Sequence, residues 1–163
     1  MQLLTILLAT TGIASAADIF RTTGDNCSGS LIGCSGIQEN VCCAFSVARS
    51  QIRWNLPANS RGQGWSGAGC TASSGTFKNP TAVTGRCITF SWPVSSAKWL
   101  TGGGTKVKAR NDVEDENCAE PNAAVYELDG VEHSVKIPEG KAKEVESWLE
   151  EGQWEKLGAL ERL

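Results

Sequence analysis

Four of the chain's seven cysteines lie between residues 27 and 43, in the stretch CSGSLIGCSGIQENVCC, and the last two are adjacent. Side chains of neighbouring residues on an extended strand point to opposite faces. A bond between Cys42 and Cys43 would close a small, strained ring, so a vicinal bridge is the rarer alternative. We therefore expect these two cysteines to bond to different partners and to fasten one strand to two separate parts of the fold.

An odd number of cysteines leaves one over after pairing. The candidates for three disulfides are Cys27, Cys34, Cys42, Cys43, Cys70 and Cys87, and the sequence does not say how they are connected. Cys118 lies among acidic residues, whose charge disfavours a thiolate. We expect it to be unpaired or to link two chains, so that the protein is a monomer or, as the alternative, a Cys118-linked dimer.

The first sixteen residues, MQLLTILLATTGIASA, combine a short apolar run with a small-x-small end. This pattern is typical of a signal peptide and predicts cleavage before Ala17. The protein is then expected to be secreted and extracellular, with no membrane association after cleavage. In an oxidising compartment cysteines form disulfides rather than metal sites. The spacings lack paired C-x2-C ligands and the chain has one histidine, so we predict no metal and no cofactor.

Composition divides the chain near the glycine run that follows Thr101. Residues 17–104 hold six of the seven cysteines and more basic than acidic residues, whereas residues 105–163 are acidic. Short alternating segments in the first part, such as residues 45–56 and 86–94, predict strands. The alternation in residues 45–56 slips by one near residues 48–50, which indicates a bulge or a turn. Residues 55–70 resemble a loop because they are rich in Gly, Asn and Pro, and Pro93 is expected at the edge or end of its strand. The first part is therefore predicted to be a cysteine-rich β domain.

The acidic extension contains a turn signal in Asp129-Gly130, which favours a type I′ hairpin over residues 123–137. Such a turn pairs Tyr126 with His133 on the apolar face. From about residue 140 to the end the apolar spacing predicts a helix, with Gly152 as a potential break. Its apolar face would contain Ala142, Val145, Trp148, Leu149, Leu157, Leu160 and Leu163, with Trp154 on the opposite side. The fold class is thus mainly β: a small disulfide-stapled β-barrel or sandwich with a C-terminal hairpin and helix, the extension either docked or loosely tethered.

The order C-x6-C-x2-I-x4-CC that begins at Cys27 is followed by a strand, by NLP, by a Gly-rich loop and by two later cysteines. This order resembles that of fungal small secreted cysteine-rich proteins, and within them the β-barrel elicitors of the hypersensitive response and related effectors. The resemblance covers about residues 20–92 and does not extend to the acidic part beyond Gly104. It implies a compact β-barrel or sandwich, an apoplastic location, and recognition by, or interference with, a host.

The sequence offers few residues from which an active site could be formed. His133 is the sole histidine, and its place opposite Tyr126 predicts a packed, hydrogen-bonded side chain rather than a general base. Paired carboxylates for glycoside hydrolysis and a phosphate-binding loop are not recognisable either. We therefore predict no catalytic residue and no enzymatic activity.

Two kinds of feature could serve binding. Tryptophans accompany Gly, Asn and Ser in the first part, a composition suited to stacking on sugars, although core packing is the alternative. Trp65 and Trp54 are the candidates for glycan contact, and Trp65 is expected to be exposed because its neighbours are small. Asn26-Cys27-Ser28 is a candidate glycosylation sequon.

Together these patterns predict a secreted, non-catalytic effector or elicitor that acts by protein or glycan recognition outside the cell. Its partner would be a host protein or a cell-wall glycan, and not a nucleic acid. The alternatives are a carbohydrate-binding or cell-wall-associated module and, after that, a small secreted hydrolase or toxin.

Overall fold

The structure of the chain is a computed structural model that describes residues 16–79, 81–102 and 118–163. Apart from Ala16, the predicted signal peptide lies outside the described residues, as does most of the glycine-rich and acidic stretch after Gly102. The described elements, in chain order, are β1 (Ala16–Thr22), β2 (Leu31–Gln38), β3 (Cys43–Leu56), β4 (Ser60–Trp65), a 3-10 turn (Ala68–Cys70), β5 (Ser74–Asn79), β6 (Val83–Thr101), β7 (Ala123–Leu128), β8 (Val131–Lys136), α1 (Ala142–Glu151) and α2 (Trp154–Gly158).

All eight strands belong to one sheet, in the order β5-β4-β6-β3-β1-β2-β7-β8. Every pairing between these strands is antiparallel. The mainly β class predicted from the sequence is confirmed, together with its disulfides and its C-terminal hairpin and helix. Where the sequence predicted a barrel or a sandwich, the structure has this one eight-stranded sheet, and β5 and β8 are the first and last strands in its order. No helix of the described residues is long and apolar enough to cross a membrane.

The long strand β6 holds the sheet together, because it pairs with β3 along residues 83–97 and with β4 along residues 96–101. The prediction that Pro93 marks the edge or end of a strand is wrong, since β6 runs through it. The β3–β6 register shifts on either side of Arg49, which pairs with Val94. A proline can be accommodated within a strand at such an irregularity. The slip predicted near residues 48–50 of β3 is confirmed at the same place.

The assignment of residues 60–65 to a loop is wrong, because they form β4. Two glycines that looked like loop residues are needed for packing. A Cβ atom on Gly62 would lie 2.3 Å from the ring of Phe77, and one on Gly64 would lie 2.9 Å from the ring of Phe90. Glycine in a strand often marks such a close approach. The aromatic rings thus fill the space above β4, and Trp54 packs edge-on against Phe77 at 5.2 Å.

The C-terminal hairpin has the predicted register, with Tyr126 opposite His133 and Leu128 opposite Val131. Gly152 ends α1 in the left-handed conformation, with φ of 67°, so the predicted break is confirmed. The prediction for Trp154 is wrong: the turn at Gly152 redirects the chain, and the Trp154 ring stacks on Tyr126 at a centroid distance of 5.6 Å.

The end of the chain also departs from the predicted helix. Leu163 is 65% exposed rather than part of an apolar helical face. Beyond α2 the last residues run along β8, where Leu163 N–H donates to Ser134 and Lys136 N–H donates to Glu161. Residues 161–163 therefore cover part of the β8 edge.

The C-terminal unit is docked, which was one of the two alternatives that the sequence left open. Strand β7 pairs with β2, and the helices cover a second core of nine buried residues: Ile32, Ala124, Tyr126, Val135, Ile137, Ala142, Val145, Leu149 and Leu157. The first core lies among β1, β2, β3 and β6. Burial of apolar area in both cores stabilises the docked arrangement.

A buried ion pair joins β1 to α1. Arg21 is fully buried, and its guanidinium donates to the carboxylate of Glu146, which is 3% exposed. Glu150 lies 3.6 Å from the same guanidinium and also accepts from Arg49 at 3.2 Å. Burial lowers the pKa of Arg21 to about 10, against the opposing effect of Glu150. Arg21 is therefore charged at neutral pH and needs its carboxylate partner.

We expect Glu146→Leu to lower the free energy of unfolding by about 3–5 kcal/mol, because it leaves the Arg21 charge buried without its main partner. The double substitution of Arg21→Met with Glu146→Leu should recover most of this loss. Urea denaturation followed by circular dichroism measures both.

The matched control is Glu144→Leu on the same helix. Glu144 pairs with Lys141 in an exposed contact of 2.6 Å, so its loss should be below about 1 kcal/mol. Equal losses for the Glu146 and Glu144 variants would contradict a stabilising role for the buried pair.

Candidate recognition surface

The three disulfides join Cys27 to Cys87, Cys34 to Cys43, and Cys42 to Cys70. The prediction that Cys42 and Cys43 bond to different partners is confirmed, and all six predicted cysteines are used. Cys43 and Cys34 are buried in the first core, where their bridge connects β3 to β2. Cys42, which lies just before β3 and is also fully buried, bonds to Cys70 in the 3-10 turn between β4 and β5.

The Cys42–Cys70 bridge fixes the loop between β4 and β5. Ser66 N–H donates to Ser73 at 2.9 Å, which closes the loop at its base. The hydroxyl of Ser96 on β6 donates to Gly67 at 2.6 Å and accepts from the Cys70 N–H at 2.9 Å. The loop is thereby attached to β6 as well as to Cys42, the residue before β3.

The tryptophans predicted to contact glycans are core residues. Trp54 is fully buried, and Trp65 is 7% exposed. The expectation that Trp65 is exposed is therefore wrong, although its sequence neighbours are as small as predicted. The ammonium group of Lys98 lies 5.2 Å from the centre of its ring. A side chain from another strand, rather than the neighbours in sequence, covers this indole.

Cross-strand register brings three cations onto one face of the β5-β4-β6 part of the sheet. Arg61 lies directly opposite Lys78 of β5, and Gln63 lies directly opposite Lys98 of β6. Directly paired residues, and residues two apart on one strand, share a face. We call Arg61, Gln63, Lys78 and Lys98 the cationic face. Ser74 and Thr76 of β5 lie on the same face, opposite Trp65 and Gln63.

The two lysines of this face form no ion pair with an acid among the described residues. Directly opposed residues have Cβ atoms about 4.5–5.5 Å apart, and like charges there are destabilising. Arg61 and Lys78 are such a pair. No ion pair found within residues 16–79, 81–102 and 118–163 involves Lys78 or Lys98. Lys78 and Lys98 thus contribute positive charge to the face without an ion-pair partner among the described residues.

One carboxylate borders the face. Glu39 accepts from both the hydroxyl and the N–H of Thr101, at 2.5 and 2.6 Å. These bonds, followed by the charge of Arg61, lower the pKa of Glu39. Their contribution to stability is present above the ordinary pKa of a glutamate and is lost as the pH falls through the lowered value. Glu39 is therefore ionised at neutral pH beside Arg61 of β4, whereas Lys78 lies on the next strand, β5.

His133 is partly buried, and its ring stacks on Tyr126 at a centroid distance of 5.2 Å. Tyr126 in turn stacks on Trp154, so the histidine is the outer member of a three-ring stack. The packed position predicted for His133 is confirmed. Among the residues that the structure describes, no group of three or more His, Cys, Asp or Glu side chains could hold a metal ion.

The structure also has a cleft that was not predicted from the sequence. A shallow cleft of about 300 Å³ lies between the start of β3, residues 120–121 and the start of α1. Phe45 and Pro121 contribute apolar lining, and Glu120 and Lys143 contribute charges of opposite sign. This mixed lining does not select one class of ligand, in contrast to the single sign of the cationic face.

The family model ARB_05566_N, described as an N-terminal domain, matches residues 18–122. This range contains all six disulfide cysteines and the cationic face, while the C-terminal hairpin and helices follow it. No curated protein and no solved structure matches the chain.

Replacing Cys42 and Cys70 together by serine should loosen the loop that carries Cys70. We expect faster amide hydrogen exchange in residues 66–73 and a loss of about 2–4 kcal/mol in the free energy of unfolding. Exchange read by mass spectrometry locates the change.

The matched control replaces Cys27 and Cys87 by serine, which removes a bridge elsewhere in the sheet. Exchange in residues 66–73 should then stay close to that of the unaltered protein. Equal acceleration in both double variants would show that the loop is not held by its own bridge.

Proposed function

The chain belongs to the ARB_05566_N family, and we propose that it is a secreted, non-catalytic recognition protein that binds an anionic glycan through its cationic face. In this proposal the protein acts outside the cell as an effector or elicitor, the role implied by its resemblance to fungal cysteine-rich proteins. The proposal concerns the described residues of the cysteine-stapled part, where the cationic face lies.

Three disulfides in a small domain support the extracellular part of the proposal. Disulfides persist in oxidising compartments and are rare in the cytosol. Two of the bridges start from the adjacent residues Cys42 and Cys43 and attach the beginning of β3 to β2 and to the β4–β5 loop. A sheet held in this way offers a rigid surface, and a rigid surface loses little conformational entropy on binding.

The observation that carries the proposal is the direct pairing of Arg61 with Lys78, with Lys98 beside them on the next strand. A like-charge pair costs stability in the free protein. An anionic partner removes this cost, and complementary charge also raises the association rate. The arrangement therefore gains free energy on binding that a neutral partner would not supply.

Exposed hydroxyl groups on the same face support a glycan over other polyanions. Ser74 and Thr76 are exposed, and the buried amide of Gln63 donates to the Ser74 hydroxyl at 3.2 Å. Sugars present many hydroxyl groups, which pair with such polar side chains, while their carboxylates pair with the cations. The carbohydrate-binding alternative that the sequence left open thus uses the same surface, and the experiment below separates it from binding to a host protein.

The stacked histidine supports recognition rather than catalysis. General acid–base catalysis needs a side chain that can reach the substrate within hydrogen-bond distance. His133 has one ring face against Tyr126 and lies on β8, at the edge of the sheet opposite to β5. It is therefore far in the sheet order from the cationic face.

We expect the folded protein to bind polygalacturonate, a polysaccharide of carboxylated sugars, and not its neutral methyl ester. Lys78→Ala and Lys98→Ala should each weaken binding about fivefold at low salt, on the scale of ~1 kcal/mol per cation at an anionic surface. Isothermal titration at two salt concentrations measures the affinity, which should fall at the higher one.

The matched control is Lys143→Ala, an exposed lysine on α1, which should bind like the unaltered protein. Equal binding of the ester and the acid would overturn the electrostatic basis of the proposal. Retention by a host protein extract that needs Lys78, combined with no binding to either polysaccharide, would identify a protein partner instead.

A further inference from the structure

The loop between β1 and β2 presents the sequon Asn26-Cys27-Ser28 at its tip. Asn26 and Ser28 are exposed, and Cys27 is half-buried and bridged to Cys87 of β6. We propose that Asn26 carries an N-linked glycan and that glycan transfer competes with closure of the Cys27–Cys87 bridge. The inference relies on the secretion proposed above and on no property of the cationic face.

The reaction joins Asn26 to a lipid-pyrophosphate-linked oligosaccharide, the donor that the secretory pathway supplies. The side-chain nitrogen Nδ2 forms a bond to the anomeric carbon of the first sugar. The bond from that carbon to the pyrophosphate oxygen breaks, and the lipid pyrophosphate leaves with the electron pair. One proton of the amide passes to a base of the transferase. The protein needs only to present the sequon to the enzyme.

The folded loop does not present the sequon as an accessible extended segment. Asn26 and Cys27 both have left-handed backbone conformations, with φ of 55° and 56°. The Ser28 hydroxyl donates to the carbonyl of Asp25, and the Cys27 N–H donates to the Gln51 side chain at 2.7 Å. With the disulfide closed, opening this turn would require breaking several bonds at once. Transfer is therefore expected on the chain before the bridge forms.

The order of synthesis gives time for transfer. Cys87 follows Cys27 by 60 residues, which takes roughly 3–12 s at about 5–20 residues per second. The native bridge cannot form until Cys87 has emerged, and disulfide formation itself takes seconds or longer. Within that interval the sequon is flexible and unbridged. Once the bridge closes, a chain that has not been modified stays unmodified.

A glycan on Asn26 is compatible with the fold. The Asn26 side chain is exposed, so an attached sugar needs no space in the core. Cys87 and Lys98 both belong to β6 and are separated by roughly 36 Å of strand at 3.3 Å per residue, so the sugar is attached far from that lysine.

The experiment expresses the full chain in a eukaryotic secretory host and measures the fraction that loses mass on treatment with peptide N-glycosidase. We expect a mixture of glycosylated and unmodified protein in the medium, and unmodified protein alone for Asn26→Gln. Cys87→Ser should raise the glycosylated fraction. Cys27→Ser should do the same, because it removes the bridge and retains an Asn-x-Ser sequon. These fractions can be read from total protein, whether or not a variant folds.

The matched control is Cys70→Ser, which breaks a different bridge and should leave the glycosylated fraction unchanged. A secreted protein with no glycan in any variant would overturn the assignment of Asn26. Equal fractions in the Cys87 and Cys70 variants, or a fully modified unaltered protein, would overturn the competition. Retention of the unaltered chain inside the cell with its first sixteen residues intact would refute the secretion proposal instead.

Discussion

Adjacent residues of an extended strand point to opposite faces, and at Cys42 and Cys43 this geometry is fixed by two covalent bonds. Cys43 reaches inwards to Cys34 and connects β3 to β2 across β1. Cys42, which is also fully buried, bonds to Cys70 and attaches the β4–β5 loop. The Cys34–Cys43 bridge lies in the first core, whereas the Cys42–Cys70 bridge anchors the loop that follows β4 of the cationic face. Both the packing of the sheet and the rigidity of its proposed binding surface depend on these two adjacent cysteines having different partners.

The C-terminal unit completes the structure by different means. Its hairpin extends the sheet through β7, its helices cover the second core, and a buried pair between Arg21 and Glu146 connects it to β1. The pair orients α1 because a buried guanidinium needs its carboxylate close by. The family match ends at residue 122, just before β7. The disulfides and the cationic face thus belong to the matched range, and the helices belong to the part that follows.

Local signals in the sequence predicted local structure well. The Asp129-Gly130 turn fixes the hairpin register because a two-residue turn leaves one self-consistent pairing. That Cys42 and Cys43 bond to different partners was also predictable, because the alternation of side chains along a strand depends only on adjacent residues. Strand β4 was missed because the need for Gly62 and Gly64 depends on rings of β5 and β6. The cationic face and the cover over Trp65 were missed because both depend on the register of Lys98, which no local pattern specifies.

The disulfide connectivity of the oxidised protein tests this account most directly. Proteolysis leaves Cys42 and Cys43 in one peptide, so partial reduction, stepwise alkylation and tandem mass spectrometry are needed to assign each thiol. The account predicts Cys34 bonded to Cys43 and Cys42 bonded to Cys70, with Cys27 bonded to Cys87. A bond between Cys42 and Cys43, or Cys42 bonded to Cys34 with Cys43 bonded to Cys70, would contradict it. Either result would remove or exchange the two attachments at the beginning of β3, to β2 and to the β4–β5 loop.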